Sequence, residues 1–202
     1  MLTDPILIVG TQTTILELFA VACGLLSVWF MKKENILVYP FGIINVLIYV
    51  FICFDARLYA YAGINLFYAV MSIYGWYNWL RKTQEDDRIR ITRLHPKEIL
   101  IYVALILVFF LMGRFLLQWF TDSEIPSWDA FTTSLYIIAM WLLAKKKIEH
   151  WILWITGDVI SIGLFAWLNL YFSAFQFLVF TVIAVFGFIE WRRKLISMRN
   201  EE

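Results

Sequence analysis

Seven apolar stretches, each about as long as a bilayer is thick, constrain this chain more than any other feature. They fall at 13–31, 36–54, 60–80, 99–120, 128–144, 151–170 and 174–191. A helix needs on the order of 20 such residues to cross the hydrocarbon core. Over 202 positions the chain is 62% hydrophobic and 16% charged, against roughly 25% charged in a soluble domain. Its charges sit in short bursts between the runs. The expected class is an all-α integral membrane protein of seven transmembrane helices. A net charge of +1 gives no reason to expect a nucleic-acid partner.

The bursts orient the spans. Lys32 and Lys33 follow the first run, and Arg81, Lys82, Arg88, Arg90, Arg93 and Lys97 follow the third. Lys145–Lys147 follow the fifth, and Arg192, Arg193, Lys194 and Arg199 the seventh. Alternate connectors hold Arg57 alone, then Asp122 and Glu124, then no charge. Basic connectors stay in the cytoplasm, so the N-terminus is expected outside and the C-terminus inside a plasma (inner) membrane. Arg114, about six residues from the outer end of the fourth run, reads as snorkelling to the interface.

The two ends of the chain resemble each other. Lys32-Lys33-Glu34 matches Lys147-Ile148-Glu149 at a spacing of 115, and Asn45-Val46 matches Asp158-Val159 at 113. The run from Gly75 to Lys82 matches Gly187 to Lys194 at 112. An ordered series of this kind indicates a duplication with small indels. The expected organisation is an extracellular lead-in (1–12), a first three-helix repeat (13–80), a cytoplasmic basic loop (81–98) and a linker helix (99–120). A second three-helix repeat (121–194) and a cytoplasmic tail (195–202) complete it. Such 3+1+3 parallel repeats characterise transporters that hold substrate between their halves near the midplane.

Polar residues inside spans are the candidate site. Trp151, Trp154 and Asp158 stand at i, i+3 and i+7 on one helix face, and Asn65, Tyr68 and Ser72 repeat that spacing in the third span. An ionisable residue within a span is costly and marks function by default; indole faces beside a carboxylate suit a flat cationic ligand. Asn45 and Asp158 both lie on the order of 10–14 Å deep at 1.5 Å per residue, and are expected to face each other across the pseudo-axis. Glu17 is a candidate entrance residue. Pro40 is expected to bend the second span next to Tyr39 and to let it flex. Trp76 and Trp79 read as interfacial-belt residues. His95 and His150 adjoin charged loops, and Cys23 and Cys53 read as packed small hydrophobes, so neither metal nor cofactor is expected.

Three segments, FGIINV (41–46), IYGWYNW (73–79) and WILWITGD (151–158), resemble the Pnu vitamin transporters. The last matches that family's W-x-x-W-x-x-x-N/D pattern. The resemblance covers nearly the whole chain. It implies a fold similar to the SWEET sugar carriers with both halves in one chain, and a homotrimer. It also implies facilitated diffusion of an unphosphorylated vitamin that a cytoplasmic vitamin kinase then traps. Trp151, Trp154 and Asp158 would bind the ligand. Nicotinamide riboside members have glutamine and asparagine in the third span where this chain has Asn65 and Ser72, and an asparagine late in the seventh where it has Phe186, which favours thiamine, with nicotinamide riboside as the alternative. A SWEET-like sugar carrier and a proton-coupled carrier using Asp158 or Glu17 stay open. A retinal photoreceptor would need a lysine within 174–191, and there is none. An intramembrane enzyme would need a nucleophile–base pair or metal ligands, which no histidine or cysteine is placed to supply.

Overall fold

The computed structural model describes residues 5–8, 11–55, 59–81, 90–120, 125–168 and 171–200. Expectations that rest on Arg57, Lys82, Arg88, Asp122 and Glu124 lie outside them. The described residues form seven helices behind a short hairpin. In it, β1 (Pro5–Ile8) pairs antiparallel with β2 (Thr11–Thr14), so the segment ahead of the first helix contains a hairpin and extends to Thr14. There the Thr14 hydroxyl accepts the Glu17 N–H (3.1 Å) and caps α1 (Ile15–Lys32), filling one of the donors a helix start leaves open. Then follow α2 (Val38–Asp55), α3 (Tyr59–Leu80), α4 (Pro96–Phe120), α5 (Pro126–Ala144), α6 (His150–Trp167) and α7 (Tyr171–Asn200).

Several boundaries move, each for a local reason. Pro96 occupies the first position of α4, where its missing N–H costs nothing, so the basic loop is shorter than 81–98. The tail is not separate, because α7 runs on to Asn200. Pro40 is the third residue of α2; with no intrahelical bond to break there, it starts the span rather than bending it.

Of the seven, α1, α2, α4, α6 and the Ser173–Met198 part of α7 are long and apolar enough to cross a bilayer. The other two, α3 and α5, have spanning length at 22 and 19 residues but carry more polar groups. They pack against each other in the interior. Ala130, Thr132, Ser134, Ala139 and Ala144 of α5 are all buried, and such small residues let helix backbones approach closely. The linker helix α4 packs on α5 and leaves Leu100, Val103, Leu107 and Phe120 exposed.

Helix neighbours obey a two-fold relation. Within the halves α2 touches α1 and α3, as α6 touches α5 and α7; between the halves α1 meets α7 and α3 meets α5. Exchanging α1, α2, α3 for α5, α6, α7 leaves this set unchanged. The register of the exchange is 112 throughout and needs no indel. Glu34 (φ 57) and Lys146 (φ 50) are the two non-glycine positions with left-handed backbone among the described residues, and they occupy the same place in the α1–α2 and α5–α6 turns. The spacings of 115 and 113 are thereby corrected: Glu34 corresponds to Lys146, Asn45 to Gly157, and Asp158 to Val46.

At the end that carries these turns the halves clasp each other reciprocally. Trp79 Nε1 donates to Leu143 O at the end of α5 (3.1 Å), and Trp191 Nε1 donates to Met31 O at the end of α1 (3.0 Å). Each carbonyl also accepts the N–H of its own left-handed residue, so two donors satisfy an oxygen that the helix end would leave open. On the pseudo-axis Lys146 Nζ pairs with Glu34 Oε1 at 2.7 Å. Trp79 is thus no belt residue: it and Trp191 are buried in an aromatic block with Tyr39 and Trp151. The two turns are tied further in different ways: Thr92 exchanges backbone bonds with Lys146 and Ile148 in the second half, and Lys194 Nζ donates to Lys33 O (3.2 Å) and pairs with Glu34 Oε2 (3.3 Å) in the first.

Two glycines make the block possible. A Cβ at Gly75 would lie 2.5 Å from the Tyr39 ring, and one at Gly187 would lie 2.5 Å from the Trp151 ring. Gly187→Ala should therefore lower the thermal unfolding temperature in detergent, the cost of overpacking being about 1–3 kcal/mol. Gly163→Ala, where nothing lies within 4 Å, should not. Equal shifts for the two variants would contradict this packing.

Candidate functional site

The tryptophan–aspartate face of α6 divides into two parts. Trp151 sits at the clasp, 1% exposed, edge-on to Trp191 with ring centroids 6.0 Å apart. Trp154 and Asp158, one and two turns further in, face α5 instead. There the Tyr136 ring stacks on the Trp154 indole, with centroids 4.9 Å apart and planes 26° apart. The Tyr136 hydroxyl donates to Asp158 Oδ1 at 3.0 Å and lies 3.1 Å from Ser161 Oγ. A phenol has one hydrogen, and the carboxylate takes it, so Ser161 donates to Tyr136. Among the described residues nothing else bonds Asp158, which is only 4% exposed.

Gly157 makes this contact possible. A Cβ there would lie 2.4 Å from Tyr136 Cε1, so the ring crosses α6 where α6 has no side chain. Trp154 Nε1 is buried without a hydrogen-bond partner among the described residues, as are Trp151 Nε1 and Tyr39 Oη. A buried donor left unmatched is costly, and a polar ligand group is one way to match it. The helices that build the site, α3, α5 and α6, contain no lysine or arginine.

The remaining candidates separate. Tyr68 on α3 is half-buried, its ring tilted against Phe67 with centroids 5.8 Å apart. Asn65, also on α3, is half-buried. Asn45 does not face Asp158: its amide donates to Ala20 O at 2.7 Å and covers Gly24 on α1. Ser72 is buried inside the first half, its hydroxyl beside Gly42 and near Ser27. Phe186 is 55% exposed, with Lys32 Nζ 5.4 Å above its ring. Of the three positions behind the preference for thiamine, 72 and 186 stand apart from the Trp154–Asp158 group, while Asn65 lies on α3. Glu17 is in the first turn of α1, at the end opposite the clasp.

Tyr136 was absent from the candidates because its role depends on a neighbouring helix. The signal was available in Gly157, a gap immediately before an intramembrane carboxylate, but nothing in α6 says which helix fills it.

Comparison with known proteins adds the family. The model of the family described as "Nicotinamide mononucleotide transporter" matches residues 14–193. The nicotinamide riboside transporter PnuC of Escherichia coli (strain K12) is 29% identical, covering 90% of this chain and 87% of that protein. The riboflavin/roseoflavin transporter RibM of Streptomyces davaonensis is 22% identical over 83% of this chain and 80% of its own. The crystal structure of the vitamin B3 transporter PnuC superposes with a TM-score of 0.71 at 26% identity, covering 91% of this chain and 83% of that one.

Proposed function

The chain belongs to the nicotinamide mononucleotide transporter family of membrane transporters, and from that premise we propose that it carries an unphosphorylated, flat, cationic vitamin by facilitated diffusion. Nicotinamide riboside is the first candidate. One observation carries this reading: a buried carboxylate, Asp158, stands beside the Trp154 indole on helices that hold no lysine or arginine. A phosphate would meet a like charge there and no counter-ion, whereas a pyridinium ring gains from both groups. The relatives named for nicotinamide riboside support the choice. Thiamine, whose thiazolium is also a flat cation, is the second reading, and the same carboxylate favours it.

In this reading the vitamin ring lies on the indole face of Trp154 turned away from Tyr136. Asp158 faces the positive nitrogen, and Trp154 Nε1 is a donor for a carbonyl. Asn65 and Tyr68 border the ligand from α3. Tyr39, Pro40 and Trp151 belong to the gate that must open at the clasp, with Glu17 at the opposite entrance. Asn45 and Ser72 support the first half. A trimer is part of the same reading and is tested by the particle mass in detergent. A cytoplasmic kinase would convert equilibration into net uptake.

The first test is selectivity. A cation over an indole in a desolvated site is worth ~2 kcal/mol, so Trp154→Ala should weaken binding of nicotinamide riboside about tenfold or more. Asp158→Asn should weaken the oxidised, cationic riboside but spare its reduced, neutral form. Equal losses for both forms would make Asp158 structural. The second test is transport in proteoliposomes. The vitamin should equilibrate without any ion gradient, and accumulation that an uncoupler abolishes would make this a coupled carrier. A cysteine at position 145 should react only from the cytoplasmic side; labelling from outside would reverse the topology.

A further inference from the structure

We propose that Tyr136 is the positioning residue of this site, one phenol holding both recognition groups: its ring the Trp154 indole, its hydroxyl the Asp158 carboxylate. The inference rests on the reading of the site as a receptor for a flat cation, and deepens it by naming what sets its selectivity.

The two-fold register relates this site to the first half. Gly24 and Asn45 in the first half correspond to Tyr136 and Gly157 in the second. In each half, the gap left by a glycine on one helix is covered by a side chain from its neighbour, but the halves do so from opposite directions. A Cβ at Gly24 would lie 3.0 Å from Asn45 Nδ2, and a Cβ at Gly157 would lie 2.4 Å from the Tyr136 ring. In the first half the covering side chain spends its hydrogen bond on a backbone carbonyl, Ala20 O. In the second half it reaches the carboxylate.

Filling the gap would need only a ring, and phenylalanine would do it. The hydroxyl adds a directed chain, Ser161 to Tyr136 to Asp158 Oδ1. Oδ1 is thereby engaged, leaving Oδ2 as the oxygen for a ligand. The same ring lies nearly parallel to the indole at 4.9 Å. Stacked aromatic pairs at this separation hold each other's orientation. A recognition site needs its groups held near the productive geometry by neighbours that are themselves fixed. Tyr136 meets that requirement for both groups at once, and its own hydroxyl is fixed by Ser161.

The test uses the full-length protein in detergent and Tyr136→Phe, which keeps the ring and removes the hydroxyl. Its affinity for oxidised nicotinamide riboside should fall about three- to tenfold, the range for losing one ordinary intramolecular hydrogen bond. Affinity for the reduced, neutral riboside should change by less than about twofold. In an Asp158→Asn background the same substitution should leave the oxidised-to-reduced ratio where it is, because coupled residues are not additive. A reading without ligand accompanies it. The Asp158 carboxyl band, isolated by infrared difference against Asp158→Asn, should shift in Tyr136→Phe. Ser161→Ala should move affinity and band in the same direction by less, and serves if Tyr136→Phe does not fold. Equal loss of both ribosides, or an unshifted band, would reduce Tyr136 to packing. If the wild-type chain binds no flat cation, the reading of the site fails and this proposal with it. If it binds and Tyr136→Phe matches it, the proposal alone fails.

Discussion

Two indole N–H groups, each reaching into the other half of the molecule, hold this fold together at one end. Trp79 and Trp191 donate to carbonyls at the ends of α5 and α1, atoms that a helix terminus leaves without intrahelical partners. Away from water such an oxygen has few alternatives, so the bonds fix where α1 and α5 stop relative to the opposite half. The left-handed turns, the Glu34–Lys146 pair on the pseudo-axis and the glycines under Tyr39 and Trp151 all follow from that placement. If a vitamin passes between the halves, as proposed, this end has to part. The described contacts that would have to break are identifiable: the two indole bonds, the Asn78 amide on Ala144 O, the ion pairs of Glu34 with Lys146 and Lys194, the Lys194 bond to Lys33 O, and the rings between them.

A duplicated protein would bind a symmetric ligand symmetrically, but a vitamin has no such symmetry. The two halves differ where it matters, at the Gly24–Asn45 and Tyr136–Gly157 positions. The first half is closed by an amide on backbone, the second by a phenol on a carboxylate. In the proposed reading, divergence at this pair of corresponding positions is what makes a symmetric scaffold a one-sided receptor. The two turns are also held differently, the α5–α6 turn by backbone bonds to Thr92 and the α1–α2 turn by the Lys194 side chain.

Span number, loop charges and the existence of a repeat were legible because each depends on composition along the chain. What failed depends on contacts between distant segments. Trp79 looks like a belt tryptophan until Leu143 O is seen opposite its nitrogen. Pro40 looks like a kink because the onset of α2 is not visible in an apolar run. Matching Asn45 to Asp158 was attractive since both are polar, yet the turn geometry of Glu34 and Lys146 sets the register one residue away. The same limit concealed Tyr136. It also lent Ser72 and Phe186 a weight against nicotinamide riboside that their positions do not support.

A structure of the full chain with nicotinamide riboside bound would test the central claim most directly. The account places the pyridinium ring against the Trp154 indole, with the charge within about 6 Å of the ring centroid and the ring nitrogen turned to Asp158. The Tyr136 hydroxyl should stay on Oδ1. Ligand lodged in the first half beside Asn45 and Ser72, with the Trp154–Asp158 group untouched, would contradict it.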